Sequence, residues 1–135
     1  MIIEKFIGIR HKFNGRSFDG ADCIGLCHLF YTEHNYSQVW NDGKPITENW
    51  HNEKLRLLRF LRKNFTPTDN INDLQYGDIV LFDIDGDVHL GIYLHYGKIL
   101  AMQVPVCEGV SESTIYSKLF WQPYFYKGFL REKGV

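Results

Sequence analysis

The stretch from Gly77 to Val104, GDIVLFDIDGDVHLGIYLHYGKILAMQV, constrains this chain most. Its polarity repeats with a period of two, in three apolar runs parted by Asp85-Gly86 and Tyr96-Gly97. Strand side chains alternate between faces, and both dipeptides suit tight hairpin turns. The pattern predicts an antiparallel β-meander. The aromatic tail STIYSKLFWQPYFYKGFLRE is expected to add one or two further strands.

The first half reads as helical. Residues 9–22, IRHKFNGRSFDGAD, hold two Gly, an Asn and two Asp, which predicts irregular backbone. Asp22 then makes a good N-cap for a helix carrying Ile24, Leu26, Cys27, Leu29, Phe30 and Tyr31. Gly25 in its first turn costs about 1 kcal/mol relative to Ala, which implies a close approach to the backbone there. A second helix, capped by Thr47, has Leu55, Leu58, Leu61 and Phe65 at three- and four-residue steps until Pro67 stops it. Arg56, Arg59, Arg62 and Lys63 fall on its wet face, read as solvated rather than as a polyanion site. The polar stretch TPTDNINDLQYGD reads as a loop between the halves. Helices first and antiparallel strands after define an α+β class. The 135 residues fit one domain, with residues 45–66 as a helical insert.

Composition narrows the function classes. Fifteen Lys+Arg against sixteen Asp+Glu leave a net charge of −1, which argues against nucleic acid as a partner. Hydrophobic residues at 44% and aromatics at 16% exclude a disordered chain. The N-terminal MIIEKFIGIRHKF lacks the long apolar run of a signal peptide or membrane span, so synthesis in the cytoplasm without a secretion signal is expected. Cys23, Cys27 and Cys107 are too few, and odd in number, for a disulfide framework. With His28 they lack the paired spacing of a zinc site. Asp83, Asp85 and Asp87 alternate like calcium ligands, but Val88 stands where an EF-type loop needs Gly, so a hairpin turn is expected. His28 and His34 read as surface or satisfied polar residues. No metal or organic cofactor is expected.

Three features converge on one chemistry. Cys23 takes the first position of a capped helix, where the dipole and free N–H groups should stabilise a thiolate and could hold an oxyanion. His89 lies on a strand among Val88, Leu90 and Gly91 and could serve as general base, then acid. A polar partner on the neighbouring strand should orient that imidazole. Gln103, on the strand face of Ala101, is the best candidate; His95 and no third member are the alternatives. Cys27 and Cys107 read as core residues. Asp22 reads as a helix cap, because a nearby negative charge would raise the thiol pKa.

GADCIGLCHLFY, LQYGDIVLF and DVHLGIYLHYGKIL together resemble the NlpC-type cysteine peptidases, papain-like cell-wall endopeptidases. The similarity runs from about Gly8 to the chain's end, and the phage-tail branch is the nearest in pattern, through its helical insert and aromatic ending. The resemblance implies a papain-like fold, with the nucleophile-bearing helix packed on an antiparallel meander or barrel. It also implies hydrolysis of amide bonds in peptidoglycan stem peptides. Cys23 becomes the nucleophile, its backbone N–H part of the oxyanion hole, and His89 the base. Substrate would lie near His11, Asp22 and Gly25. Two positions depart from the family pattern: His11 replaces a Tyr twelve residues before the nucleophile, and Ala101 stands twelve after His89, where the third triad member usually falls. The expected partners are a stem peptide and phage tail or baseplate proteins, with the virion as a place of action. The rival readings are a tail or baseplate subunit whose catalysis has weakened, and an acyltransferase or amidase acting outside the wall.

Overall fold

The computed structural model describes residues 3–38, 40 and 53–131. Its frame is a six-stranded, wholly antiparallel sheet: β3 (Thr66–Thr68), β4 (Ile79–Ile84), β5 (Asp87–Tyr93), β6 (Ile99–Met102), β7 (Ser113–Tyr116) and β8 (Phe125–Leu130). The strand order is β3-β8-β4-β5-β6-β7. The expected meander is β4 to β6 in sequence, and the tail supplies two further strands, β7 beside β6 and β8 on the far side of β4. Ahead of the sheet lie a two-residue ribbon, β1 (Arg16–Ser17) and β2 (Gly20–Ala21), and helices α1 (Cys23–Glu33) and α2 (Lys54–Asn64). A short helix, α3 (Lys118–Trp121), joins β7 to β8. Among the described residues no helix is long and apolar enough to cross a membrane.

Both hairpins turn where the glycine dipeptides lie. Asp85 (φ 53°) and Gly86 (φ 91°), then Tyr96 (φ 61°) and Gly97 (φ 74°), pair positive dihedrals as tight hairpin turns require. The Asp83 carboxylate accepts the Gly86 amide at 2.8 Å, so the alternating aspartates build the first turn.

Alternation along the strands divides the apolar side chains between two faces. Ile79, Leu81, Val88, Leu90, Ile92 and Leu100 pack with α1, which is buried almost all round from Cys23 to Tyr31. Such a helix can only be a central one. Val80, Phe82, Ile99 and Ala101 face the other way, under Trp121. The Trp121 indole donates to the Gly97 carbonyl at 2.8 Å and so ties α3 to the second turn.

Four expectations need correction. The sheet is open among the described residues, with β3 and β7 as edges, rather than a closed barrel. The stretch after α2 is not all loop, since Thr66–Thr68 pairs with β8. Residues 9–22 contribute the β1–β2 ribbon. Leu55 is 73% exposed, and the stripe of α2 is Leu57, Leu58 and Leu61, continued by Phe65. At 100° per residue, Leu55 falls roughly 110° from that stripe's centre. Arg59, Arg62 and Lys63 are exposed, as a wet face demands. Thr47 lies outside the described residues, and the N-cap residue of α2 as described is Glu53.

Cys27 sits 1% exposed in this core, and burial pushes its thiol pKa up. The neutral thiol is therefore favoured in the folded chain. Stability from this group is complete below the pKa of the unfolded thiol, about 8.5, and is lost as pH rises past it. Urea unfolding at pH 8 and pH 10 should show the wild type losing roughly 1–2 kcal/mol more than Cys27→Ala. Equal losses in the two proteins would remove this account.

Candidate functional site

Asp22 builds the start of α1. Its backbone is extended (φ −85°, ψ −176°), and its carboxylate accepts the Gly25 amide at 2.7 Å. The same carboxylate accepts the Asn14 amide at 2.9 Å and pairs with the Arg16 guanidinium at 2.9 Å, while wholly buried. A buried carboxylate persists only when its oxygens are satisfied in this way. The cap reading of Asp22 holds.

Gly25 admits a close approach, but from the protein itself. A Cβ there would lie 1.9 Å from the Gly15 carbonyl oxygen, and one on Gly15 would lie 2.3 Å from the Gly20 carbonyl. The loop before the helix is stacked on its first turn without room for a methyl group. His11 is 2% exposed; its amide donates to Ser111 and its carbonyl accepts from Gly109. Its ring meets Phe13 edge-on at 4.6 Å. The residues the resemblance assigned to substrate, His11, Asp22 and Gly25, are thus all buried here. They are packed inside the fold and offer little accessible surface to a ligand.

Cys23 occupies the first position of α1 and is 4% exposed. Helix α1 packs on β5, the strand that carries His89, and Cys23 shares a buried cluster with Leu90. His89 is 8% exposed and stacks on Phe82, its partner across β4–β5, with centroids 5.4 Å apart.

The expected low-pKa thiolate is not what this geometry gives. Burial raises the Cys23 thiol well above its ordinary range, and the Asp22 carboxylate raises it further. The backbone amides of Leu90 and Cys23 act in the opposite direction and are outweighed. The helix terminus is a favourable place for a thiolate only where water or cations also reach it.

The proposed orienting partner is displaced. Gln103 lies beyond the end of β6, exposed, and its side-chain oxygen accepts the Glu112 amide at 3.0 Å. The side chain leans toward the β7 side instead of toward His89, because β6 continues to pair in that direction past Met102. Ala101 is fully buried with Phe82 and Trp121. His95 stacks on Tyr76 at 4.8 Å, near the second turn. Six residues of strand place it roughly 20 Å from His89. Cys107 is an exposed thiol, not a core residue, because it rides on the loop between β6 and β7. Glu108 of that loop accepts the Phe13 amide at 2.8 Å, which brings the loop beside residues 10–13.

His34 is a satisfied polar residue, as expected. Its ring stacks on Phe30 at 3.8 Å and bonds the Phe30 carbonyl and the Tyr76 hydroxyl. His28 is half-buried, and burial with the nearby Arg16 charge lowers its pKa.

A cysteine-first helix set against an antiparallel sheet defines a papain-like α+β domain. A family model described as the NlpC/P60 family matches residues 8–129, and the chain belongs to that family. Among solved structures, the crystal structure of the NlpC/p60 domain of the peptidoglycan hydrolase SagA is similar, with a TM-score of 0.59 at 14% identity. The alignment covers 93% of this chain and 90% of that one, and it shows a shared fold. No curated protein matches the chain significantly.

Two outcomes follow from this geometry. Iodoacetamide should modify exposed Cys107 first and Cys23 slowly, with the Cys23 rate climbing from pH 6 to pH 9 without a plateau. Labelling located by mass spectrometry checks this, and a plateau below pH 7 would contradict it. Gly25→Ala should cost at least about 3 kcal/mol in urea unfolding, because backbone rather than a movable side chain blocks the methyl group. A loss under 1 kcal/mol would mean that the Gly15 carbonyl yields.

Proposed function

We propose that the protein is a cell-wall hydrolase that cleaves amide bonds in peptidoglycan stem peptides through an acyl-enzyme on Cys23. The observation that carries this reading is Cys23 at the first position of a capped helix that packs on β5, the strand bearing His89. Membership of the NlpC/P60 family and the fold shared with a peptidoglycan hydrolase domain support it.

The chemistry suits a protonated resting thiol. As the sulfur's electron pair forms the bond to the substrate carbonyl carbon, its proton passes to the His89 imidazole, which acts as general base. The carbonyl oxygen takes up the negative charge, opposite the amides of the first turn of α1. Asp22 occupies only the Gly25 amide of that turn. His89 then returns the proton to the leaving nitrogen as the C–N bond breaks, and water releases the acyl group from sulfur. Cys23 and His89 carry the proposed chemistry, and Gln103 is left out of it because its side chain is engaged at Glu112.

The test is release of peptide fragments from purified peptidoglycan and from synthetic stem peptides. Cys23→Ala should abolish cleavage, and His89→Ala should lower kcat/KM by at least about a hundredfold. Gln103→Ala should stay within about threefold, because its side chain makes no contact that changes in the transition state. Cleavage by Cys23→Ala at the wild-type rate would end the proposal. A second reading, a tail or baseplate subunit with weakened catalysis, is favoured by buried Ala101 and by the raised thiol pKa. Wild-type inactivity on every stem peptide, with a folded chain, would select it.

A further inference from the structure

Strand register sets an aromatic ring against the candidate base. His89 on β5 is paired with Phe82 on β4. Directly opposed side chains of an antiparallel pair share a face, with Cβ atoms about 5 Å apart, so their rings can meet. Here they do: the imidazole stacks on the Phe82 ring with centroids 5.4 Å apart and planes inclined by 29°. Phe82 is fully buried, in a cluster with Ala101 and Trp121 against which Phe125 packs. On its other side Phe82 is paired with Phe125 of β8, at the point where the β4–β8 register shifts. The shift passes over Tyr126, a bulge that turns the strand locally beside the His89 row. Trp121 lies 6.2 Å from Phe125, ring to ring. Phe82 is thus fixed in a cluster drawn mainly from β4, β6, β8 and α3. In the sequence it is one apolar residue of a strand, and only the register sets it beside His89.

We propose that Phe82 is a positioning residue for His89, a platform that fixes the plane of the imidazole and supports the positive charge it gains from the Cys23 proton. This inference rests on the hydrolase reading above. Stacking engages the face of the imidazole and leaves both nitrogens, at the ring's edge, to hydrogen bonding and proton transfer. It limits tilt of the ring, whereas a hydrogen-bonding partner at one nitrogen limits rotation within the plane, so the two kinds of support add. Orientation matters because a general base must bring its nitrogen within hydrogen-bond reach of the proton it takes. Charge matters as well. The face of an aromatic ring is negative, and a cation within about 6 Å of its centroid is attracted. The 5.4 Å separation falls inside that range. The contact therefore strengthens as imidazole becomes imidazolium, which favours transfer of the proton from sulfur. An aliphatic residue at position 82 would fill similar space and supply neither effect.

Phe82→Leu keeps an apolar side chain and removes the ring. It should lower kcat on stem peptides about threefold to tenfold, the span expected for one aromatic pair, with KM unchanged. Ile99→Ala, in the same buried cluster, is the control for lost stability. It should unfold at lower urea yet keep kcat within about twofold, because it touches nothing that changes in the transition state. Wild-type kcat in folded Phe82→Leu would overturn the proposal. So would an equal loss in Ile99→Ala, which marks a merely structural role. If Phe82→Leu does not fold, pentafluorophenylalanine at position 82 serves, since it retains the ring and reverses the charge on its face. The kcat should again fall, and a wild-type value would overturn the proposal.

The contact can also be read without turnover. The imidazole C–H protons of His89, assigned in NMR spectra by their loss in His89→Ala, lie in the ring current of Phe82. They should move in Phe82→Leu and stay in place in Ile99→Ala. Unmoved signals in Phe82→Leu would overturn the platform whatever the activity. The two proposals can therefore fail separately. Signals that move, in a protein that cleaves no wall peptide, support the platform and overturn the hydrolase reading. Cleavage with unmoved signals does the reverse.

Discussion

The Asp22 carboxylate is the contact on which the site depends. One buried anion gathers the Gly25 amide, the Asn14 amide and the Arg16 guanidinium. It thereby caps α1, pins the loop before it, and fixes where the helix begins. Hydrogen bonds to a charged group contribute about 1.5–3 kcal/mol each, and stranding such a charge costs more. The three glycines around it follow from the same constraint. Gly15 and Gly25 lie so close to neighbouring backbone that no Cβ fits, and a Cβ on Gly20 would press on the Lys12 side chain at 3.0 Å.

That arrangement has an electrostatic consequence for the thiol beside it. The same charge that secures the helix start disfavours a second negative charge on Cys23, and burial adds to the effect. In the resting fold the thiol therefore holds its proton. Structural demand on the Asp22 carboxylate and ionisation of the neighbouring thiol pull in opposite directions.

Much of the fold was legible from residues whose effect is local. Asp85-Gly86 and Tyr96-Gly97 each state a backbone dihedral, and the period-two runs between them state which side chains share a face. Asp22 was legible because a cap acts on the next turn of its own helix. Gln103 and Cys107 were not, because their orientation depends on where β6 parts from β5 and follows β7 instead. Leu55 satisfied the helical spacing but fell off the stripe once Leu57 set its centre. The packing of α1 on the strand that carries His89 is a tertiary event, and only the family motif hinted that the cysteine and histidine segments meet.

The open sheet raises a matter of solubility. An uncovered edge strand presents unpaired amides and carbonyls on which another chain could grow. Strand β3 is three residues long, and its central residue is Pro67, which has no N–H to offer. At the other margin β7 runs four residues before the chain turns into α3. Part of that margin is already taken, since Gly8 donates to the Ser113 carbonyl at 2.8 Å and Ser113 to the Ile9 carbonyl at 2.9 Å. Neither margin therefore leaves a long run of free amides on which a neighbouring chain could extend the sheet.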